Sequence, residues 1–299
     1  MSDTPKTTMQ DLNANQIRWC EGCGNFSIIN AVKKLILDLE LDPSQVVNIS
    51  GIGCSSRAPH YINTYGINGI HGRPIPIATG LKLVRPELDI IIHSGDGDAA
   101  SIGGNHLLHG VNKNINCVFI MYDNGLYSLT KSQTSPTTPR GHKTNTSPKG
   151  SLMDPLKIMQ LVIGMGGSFV ASTADWIPTH LLETLKKAHA HKGFSFVHVW
   201  QRCPHFFQDF VDNNRLDSFH FLTHEDGLSV PEKYIGQTTI VSHPPSNLSA
   251  AFEFANSEQP YLGLFYRNPD KLVYDELVNA QTRDTAPLRL EDIINGYAI

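Results

Sequence analysis

The chain has 299 residues, 40% of them hydrophobic and 17% charged, with 24 glycines and a formal net charge of −4. That length and composition allow one or two domains with a sizeable core and exclude a disordered or fibrous chain; mild acidity with scattered Lys and Arg argues against nucleic-acid binding. No run approaches the ~20 apolar residues of a membrane span, and the polar N-terminus lacks a signal peptide's apolar stretch, so a cytoplasmic protein with reduced cysteines is expected.

Residues 27–41 carry apolar groups at helical spacing after Ser27, a capping residue. A short β-branched run follows at 46–50, then a Gly/Cys/Ser-rich loop, a helix over 75–85 that ends before Pro86, and a continuous apolar run at 88–95. The last of these is the mark of a strand buried on both faces. A helix over about 100–112 leads to a second buried strand, 116–124. Further on, 155–164 reads as helix, 168–172 as strand, 178–191 as helix and 194–200 as strand. The alternation predicts an α/β fold, a parallel sheet with helices on both faces. Its loops after 50, 95, 124 and 200 all leave strand carboxyl ends, where such sheets bind ligands. Residues 131–151 are rich in Ser, Thr, Pro, Gly and Lys and almost free of apolar groups, which reads as a functional or mobile loop. Beyond about 205 the pattern is less periodic, with helices expected near 249–256 and 272–279 on an appended region. The low charge content, against ~25% in ordinary domains, suggests surface covered by another subunit.

Cys20 and Cys23 form a C-x-x-C in WCEGCGNF, while Cys54 and Cys203 each sit just after a predicted strand. Three loops can thus supply four thiolates, the ligand set of a [4Fe–4S] cluster. Spacing alone leaves a structural zinc, a redox C-x-x-C and inert buried thiols open as alternatives. Cys117, inside the apolar run NCVFIMY, reads as a core residue.

Gly95-Asp96-Gly97-Asp98 follows a buried strand and precedes a helix, and 26 residues separate Gly97 from Asn124 at the end of the next strand. The glycines free N–H groups for phosphate, and the helix start adds its dipole. Asp96 and Asn124, with the carbonyl of Leu126, two diphosphate oxygens and a water, would complete an octahedral Mg²⁺. A GDG and an Asn at this separation, each after an apolar strand, form the thiamine diphosphate signature. Asp123 could ligate instead, but reads as a loop carboxylate.

Together WCEGCG, SGIGCSSR, IHGR, SGDGD, DNGLYSLT and a late QRCP resemble the β subunits of 2-oxoacid:ferredoxin oxidoreductases, most closely those acting on 2-oxoglutarate. The resemblance runs from about residue 15 to 210 and more weakly to about 275. It implies that Cys20, Cys23, Cys54 and Cys203 ligate one [4Fe–4S] cluster and that Asp96, Asn124 and Leu126 bind Mg²⁺. It implies thiamine diphosphate contacts at Ile52, Gly53, Cys54, Ser55, Gly69, Ile70, His71, Gly72, Gly97, Asp98, Ser128 and Leu129. Residues 1–204 would form the cofactor domain, and 205–299 an extension packed on it and on a partner.

The implied reaction is CoA-dependent oxidative decarboxylation of 2-oxoglutarate to succinyl-CoA and CO₂, with one-electron transfers through the cluster to ferredoxin, reversible as reductive carboxylation. An α subunit would supply the Glu that activates the aminopyrimidine, and a dimer of αβ heterodimers is the family expectation. Arg57, Leu129 and Lys131 are the residues expected to recognise substrate, two cations suiting a distal carboxylate. Ordinary surface or interface charge is the alternative for both. Ser128 and Ser132 stand where relatives often carry Gly, which bears on substrate fit rather than reaction type. His60, His106 and His109 receive no role. Pyruvate or another 2-oxoacid as substrate, and a non-catalytic electron-transfer or zinc-stabilised scaffold, are the competing readings.

Overall fold

The computed structural model describes residues 7–207, 218–283 and 289–297. Its strands are β1 (Val46–Ser50), β2 (Tyr65–Asn68), β3 (Asp89–Gly95), β4 (Cys117–Asp123), β5 (Leu126–Tyr127), β6 (Gln133–Thr134), β7 (Phe169–Ala174), β8 (Phe194–Trp200), β9 (His220–Thr223), β10 (Ile240–Ser242) and β11 (Tyr261–Arg267). Among the described residues nine of these form one sheet in the order β10-β9-β11-β7-β8-β4-β3-β1-β2. β1 to β4, β7 and β8 are mutually parallel. β11 pairs antiparallel with β7, and β9 and β10 run parallel to β11, so the C-terminal region adds three strands to the same sheet.

Helices α1 (Asn25–Asp38), α2 (Ala58–Tyr61) and α6 (Pro178–Ala190) cover one face. α3 (Pro74–Val84), α4 (Gly104–Lys113), α5 (Ile158–Gly164) and α7 (Leu248–Asn256) cover the other. Two more, α8 (Tyr274–Arg283) and α9 (Leu290–Tyr297), follow. α1 shows why the sequence folds this way: Ile28, Ile29, Val32, Leu35 and Ile36 fall on one stripe and are fully buried. β3 and β4 are buried along nearly their whole length, with apolar runs at Ile90–Ile92 and Val118–Met121, because both their faces lie under helices. α4 stops at Asn114, whose left-handed backbone (φ +56) ends the helix and whose side chain takes the Ser168 hydroxyl and the Phe194 amide. No described helix is long and apolar enough to cross a membrane.

Five of the described histidines are buried: His93, His180, His191, His198 and His243. His93 on β3 lies 2.8 Å from the Tyr122 hydroxyl and 2.7 Å from Asn48 Oδ1. Burial pushes its pKa down to about 3, and those of His180 and His191 down to about 4, with Arg267 adding to the shift at His191. An unfolded histidine titrates near ~6.5, so between pH 6.5 and 4 the unfolded chain binds the extra protons. This stability is complete above pH 6.5 and is lost as pH falls through the folded values. The thermal midpoint should therefore drop steadily from pH 6.5 to 4, and a flat profile would contradict neutral burial of the His93, His180 and His191 rings.

Candidate functional site

β8, β4, β3 and β1 are adjacent and parallel, so the loops after Ser50, Gly95, Asp123 and Trp200 emerge along one sheet edge. The C-x-x-C turn precedes α1 and packs against the last of these loops. Gly24 donates its N–H to Arg202 O at 3.0 Å, and a Cβ there would stand 2.4 Å from Asp175 Oδ2. The missing side chain is what permits the approach. Asp175 in turn pairs with Arg202 at 3.0 Å, anchoring the loop that carries Cys203. Trp19 Nε1 donates to Cys54 O at 2.8 Å, which ties the third loop to the first.

The four thiols are free, range from exposed Cys20 to buried Cys203, and lie close enough to repel one another when ionised. Burial pushes Cys23 up to about 12, with added repulsion from Cys203, Cys54 and Cys20. Burial pushes Cys54 up to about 11, reinforced by Cys203 and Cys20 and opposed by the Arg57 cation. Cys203 is raised chiefly by burial, against which a Ser128 hydrogen bond works. Gln201 Nε2 lies 3.7 Å from Cys23 Sγ. Such a donor set resists losing its protons unless a cation enters, and thiolate ligation supplies one. Three thiolates on a single zinc would lie about 3.8 Å apart, given a Zn–S bond of about 2.3 Å. Among the described residues the only group of three His, Cys, Asp or Glu ligand atoms all within 4.8 Å of one another belongs to half-buried His224 and exposed Glu225 and Asp226, so no three of the four sulfurs lie that close together. Cys117 is a core residue of β4.

Beside these loops lies a cavity of about 170 Å³. Its wall includes Ile52, Gly53, Cys54 and Ser55 after β1, His71 after β2, Asp96, Gly97 and Asp98 after β3, and Asn124, Leu126, Ser128 and Leu129 after β4. The Ser55 hydroxyl is buried with no hydrogen-bond partner, a donor left for a ligand. Asp96 and Asn124 are both buried. Burial pushes the Asp96 carboxyl up to about 8, and the neighbouring Asp123 pushes it further in the same direction. Asn124 Oδ1 accepts from Leu126 N at 3.0 Å and Ser128 Oγ at 3.1 Å, and its amide nitrogen donates to Gln201 at 2.6 Å. Hard oxygen donors and two buried carboxylates side by side fit a hard dication. The volume is below the ~300 Å³ of a typical small-molecule site, which suits half of a cofactor with the remainder covered by another chain.

Asp98 lines the cavity, yet its carboxylate is heavily engaged by the protein. Oδ1 accepts from His71 Nδ1 at 2.5 Å, Gly72 N at 2.7 Å and Ile52 N at 3.1 Å, and Oδ2 accepts from Ser94 Oγ at 2.5 Å. It holds the 51–55 and 69–72 loops together. Gly69, Ile70 and Gly72 stand behind His71 rather than in the wall, and neither Arg57 nor Lys131 lines the cavity. Arg57 is half-buried and close enough to Cys54 to act on its thiol, whereas Lys131 is exposed.

Residues 131–151 are tethered rather than loose. Asp123 is no loop carboxylate: it ends β4, buried, and accepts from His198 Nε2 at 2.9 Å and Thr137 Oγ1 at 2.7 Å. Thr137 Oγ1 also lies 2.9 Å from Asp96 Oδ2, and Thr138 Oγ1 donates to Gly125 O at 2.5 Å. Sequence reasoning assigned no role to Ser135, Thr137, Tyr127, Gln201 and His198, and read Asp123 as a loop carboxylate. The signal that was available is the run of hydroxyls in Ser135-Pro136-Thr137-Thr138. Lys131 and Ser132 are left-handed at φ +73 and +74, a conformation that costs an L residue roughly 1–2 kcal/mol. Ser132→Gly should raise stability by up to about 1 kcal/mol in thermal unfolding, since glycine's own entropy cost offsets part of the relief.

Residues 51–199 match the model of the thiamine pyrophosphate enzyme C-terminal TPP binding domain. The 2-oxoglutarate oxidoreductase subunit KorB of Mycobacterium tuberculosis is 42% identical over 205 residues, 69% of this chain and 55% of that protein. The chain thus spans just over half the length of that relative. The 2-oxoacid:ferredoxin oxidoreductase 1 β subunit of Aeropyrum pernix is 38% identical over 263 residues, 86% of this chain and 80% of that one. A solved structure of 2-oxoglutarate:ferredoxin oxidoreductase from Magnetococcus marinus, with 2-oxoglutarate, coenzyme A and succinyl-CoA bound, superposes with a TM-score of 0.84 at 30% identity, covering 99% of this chain and 98% of that chain. With a thiamine pyrophosphate-binding domain on a mostly parallel sheet and these relatives across most of its length, the chain belongs to the β-subunit family of 2-oxoacid:ferredoxin oxidoreductases.

Proposed function

We propose that the chain is the cofactor-holding subunit of a 2-oxoglutarate:ferredoxin oxidoreductase. It would form succinyl-CoA and CO₂ from 2-oxoglutarate and CoA, pass electrons to ferredoxin, and run in reverse as a carboxylase. The observation that carries this reading is the 52–55 loop, which contributes Cys54 to the thiol group and Ile52, Gly53 and Ser55 to the cavity wall. Thiamine diphosphate would supply the electron sink for decarboxylation and a [4Fe–4S] cluster the one-electron acceptor.

Asp96, Asn124 and the Leu126 carbonyl would hold Mg²⁺. Ser55 and His71 offer donors to the diphosphate, and Leu129 forms an apolar wall. Cys20, Cys23, Cys54 and Cys203 would hold the cluster. Arg57 and Lys131, outside the cavity wall, would meet the distal carboxylate of the substrate. Ile52, Ile70, Ile102 and Leu129 leave an apolar rim exposed, which supports an α subunit seated there. Arg57→Ala should then raise the KM for 2-oxoglutarate far more than that for pyruvate; equal effects would remove Arg57 from substrate recognition.

The test is CoA-dependent reduction of a low-potential dye without oxygen, using the chain co-produced with its partner subunit. Preference for 2-oxoglutarate is expected, with no turnover by the chain alone. A preference for pyruvate would keep the cofactor assignments and overturn the substrate. Failure to bind thiamine diphosphate would favour an electron-transfer scaffold instead.

A further inference from the structure

We infer that Ser135–Thr138 is a positioning strap for the metal site, its hydroxyls setting where Asp96 stands relative to the turn that carries Asn124. The inference rests on the reading of Asp96 and Asn124 as Mg²⁺ ligands. The two lie on separate loops after the paired strands β3 and β4, which set the distance between the loop roots but not the orientation of the Asp96 carboxylate beyond them. The strap crosses between the two loops. Thr137 Oγ1 sits 2.9 Å from Asp96 Oδ2 and 2.7 Å from Asp123 Oδ1. Thr138 Oγ1 bonds Gly125 O at 2.5 Å and receives Ser135 N at 2.8 Å, closing the strap on itself.

Asp123 is a fixed post for this strap. Its Oδ1 also accepts from Gly125 N at 3.1 Å, and its Oδ2 faces His198 Nε2 at 2.9 Å. His198 is held from behind by Ser172 Oγ at 3.1 Å. All of these groups except the partly buried Thr137 lie almost fully inside the protein. A threonine hydroxyl has one proton and can donate to only one carboxylate at a time. A dication against Asp96 leaves that proton free for Asp123, so metal loading and seating of the strap favour each other. Coupling of this kind is reciprocal: metal should protect the strap, and the strap should tighten the metal.

Lys131, Arg140, Lys143 and Lys149 place trypsin sites on both sides of the strap. The experiment compares wild type, Thr137→Val, Thr137→Ser, Ser135→Ala and Asp96→Asn in the complex with the partner subunit. It measures Mg²⁺ affinity by calorimetry with thiamine diphosphate present, and trypsin cleavage of 131–151 with and without Mg²⁺ and thiamine diphosphate. Thr137→Val should weaken Mg²⁺ by about 10- to 100-fold, the range for residues that orient metal ligands. It should also abolish protection of the strap by metal, with Thr137→Ser restoring both. Ser135→Ala removes the hydroxyl 3.4 Å from Thr137 Oγ1 and 3.3 Å from Thr138 Oγ1 and should weaken Mg²⁺ in the same direction. If Asp96→Asn loses Mg²⁺ while Thr137→Val and Ser135→Ala bind it like wild type, the strap is overturned and the metal assignment stands. If Asp96→Asn binds Mg²⁺ normally, the metal assignment fails and takes the strap with it.

Discussion

Asp96→Asn is expected to lower Mg²⁺-dependent thiamine diphosphate binding by at least about 100-fold, a larger loss than removing a group that merely orients a ligand. The same change should stabilise the cofactor-free chain. Burial, and then Asp123, push the Asp96 carboxyl up to about 8, so its ionised form is disfavoured in the folded protein. An unfolded aspartate ionises near ~3.9, and a raised folded value means stability falls as pH climbs from there towards 8. Asparagine cannot ionise and escapes that loss. Thermal unfolding at pH 8 without Mg²⁺ should therefore shift upward in the variant while cofactor affinity collapses. A variant that loses both stability and binding would indicate misfolding, and one that keeps binding would remove Asp96 from the metal site.

The second large effect is expected at Gly51, the residue that opens the loop shared by the cavity and the cysteine group. A Cβ at this position would stand 2.1 and 2.4 Å from the two carboxylate oxygens of Asp98. Asp98 has nowhere to go, because His71, Gly72, Ile52 and Ser94 all donate to it. Hydrogen bonds to a charged group are worth about 1.5–3 kcal/mol each, so losing two of them in Gly51→Ala should cost about 3–6 kcal/mol. Thiamine diphosphate and iron should fall together, since Ile52 to Ser55 and Cys54 are displaced as one loop. Gly80→Ala is the control: nothing lies within 4 Å of the added carbon, and the position is an exposed helical one. There alanine should match or slightly exceed wild type in thermal unfolding.

Much of this was legible in the sequence because the relevant signals are local. Apolar runs at 88–95 and 116–124 announce buried strands, and the Gly/Asp and Asp/Asn turns at their ends place oxygen donors on adjacent loops. The structure brings those turns together because β3 and β4 are parallel neighbours. Long-range partnerships were not legible. Asp98 reads as one more polar residue of a phosphate turn, yet its carboxylate is engaged by loops 26 and 46 residues away. A Ser/Thr/Pro-rich stretch looks mobile because it has almost no apolar groups to bury, and nothing in the sequence says which hydroxyls will pair. Those of Thr137 and Thr138 find partners only once β4 has delivered Asp123 and Gly125. The pairing of β11 against β7 depends on a strand reached only after the weakly periodic stretch that begins near 205, where tertiary contacts decide the register.

The central claim is that three loops unite four cysteines around one iron–sulfur cluster beside the thiamine cavity. The most direct measurement is iron, acid-labile sulfide and zinc content, with electron paramagnetic resonance of the reduced protein, on the chain purified with its partner subunit in the absence of oxygen. The account predicts about four irons and four sulfides per chain and a reduced-cluster signal, all lost in Cys54→Ser. One zinc per chain with no labile sulfide would contradict it.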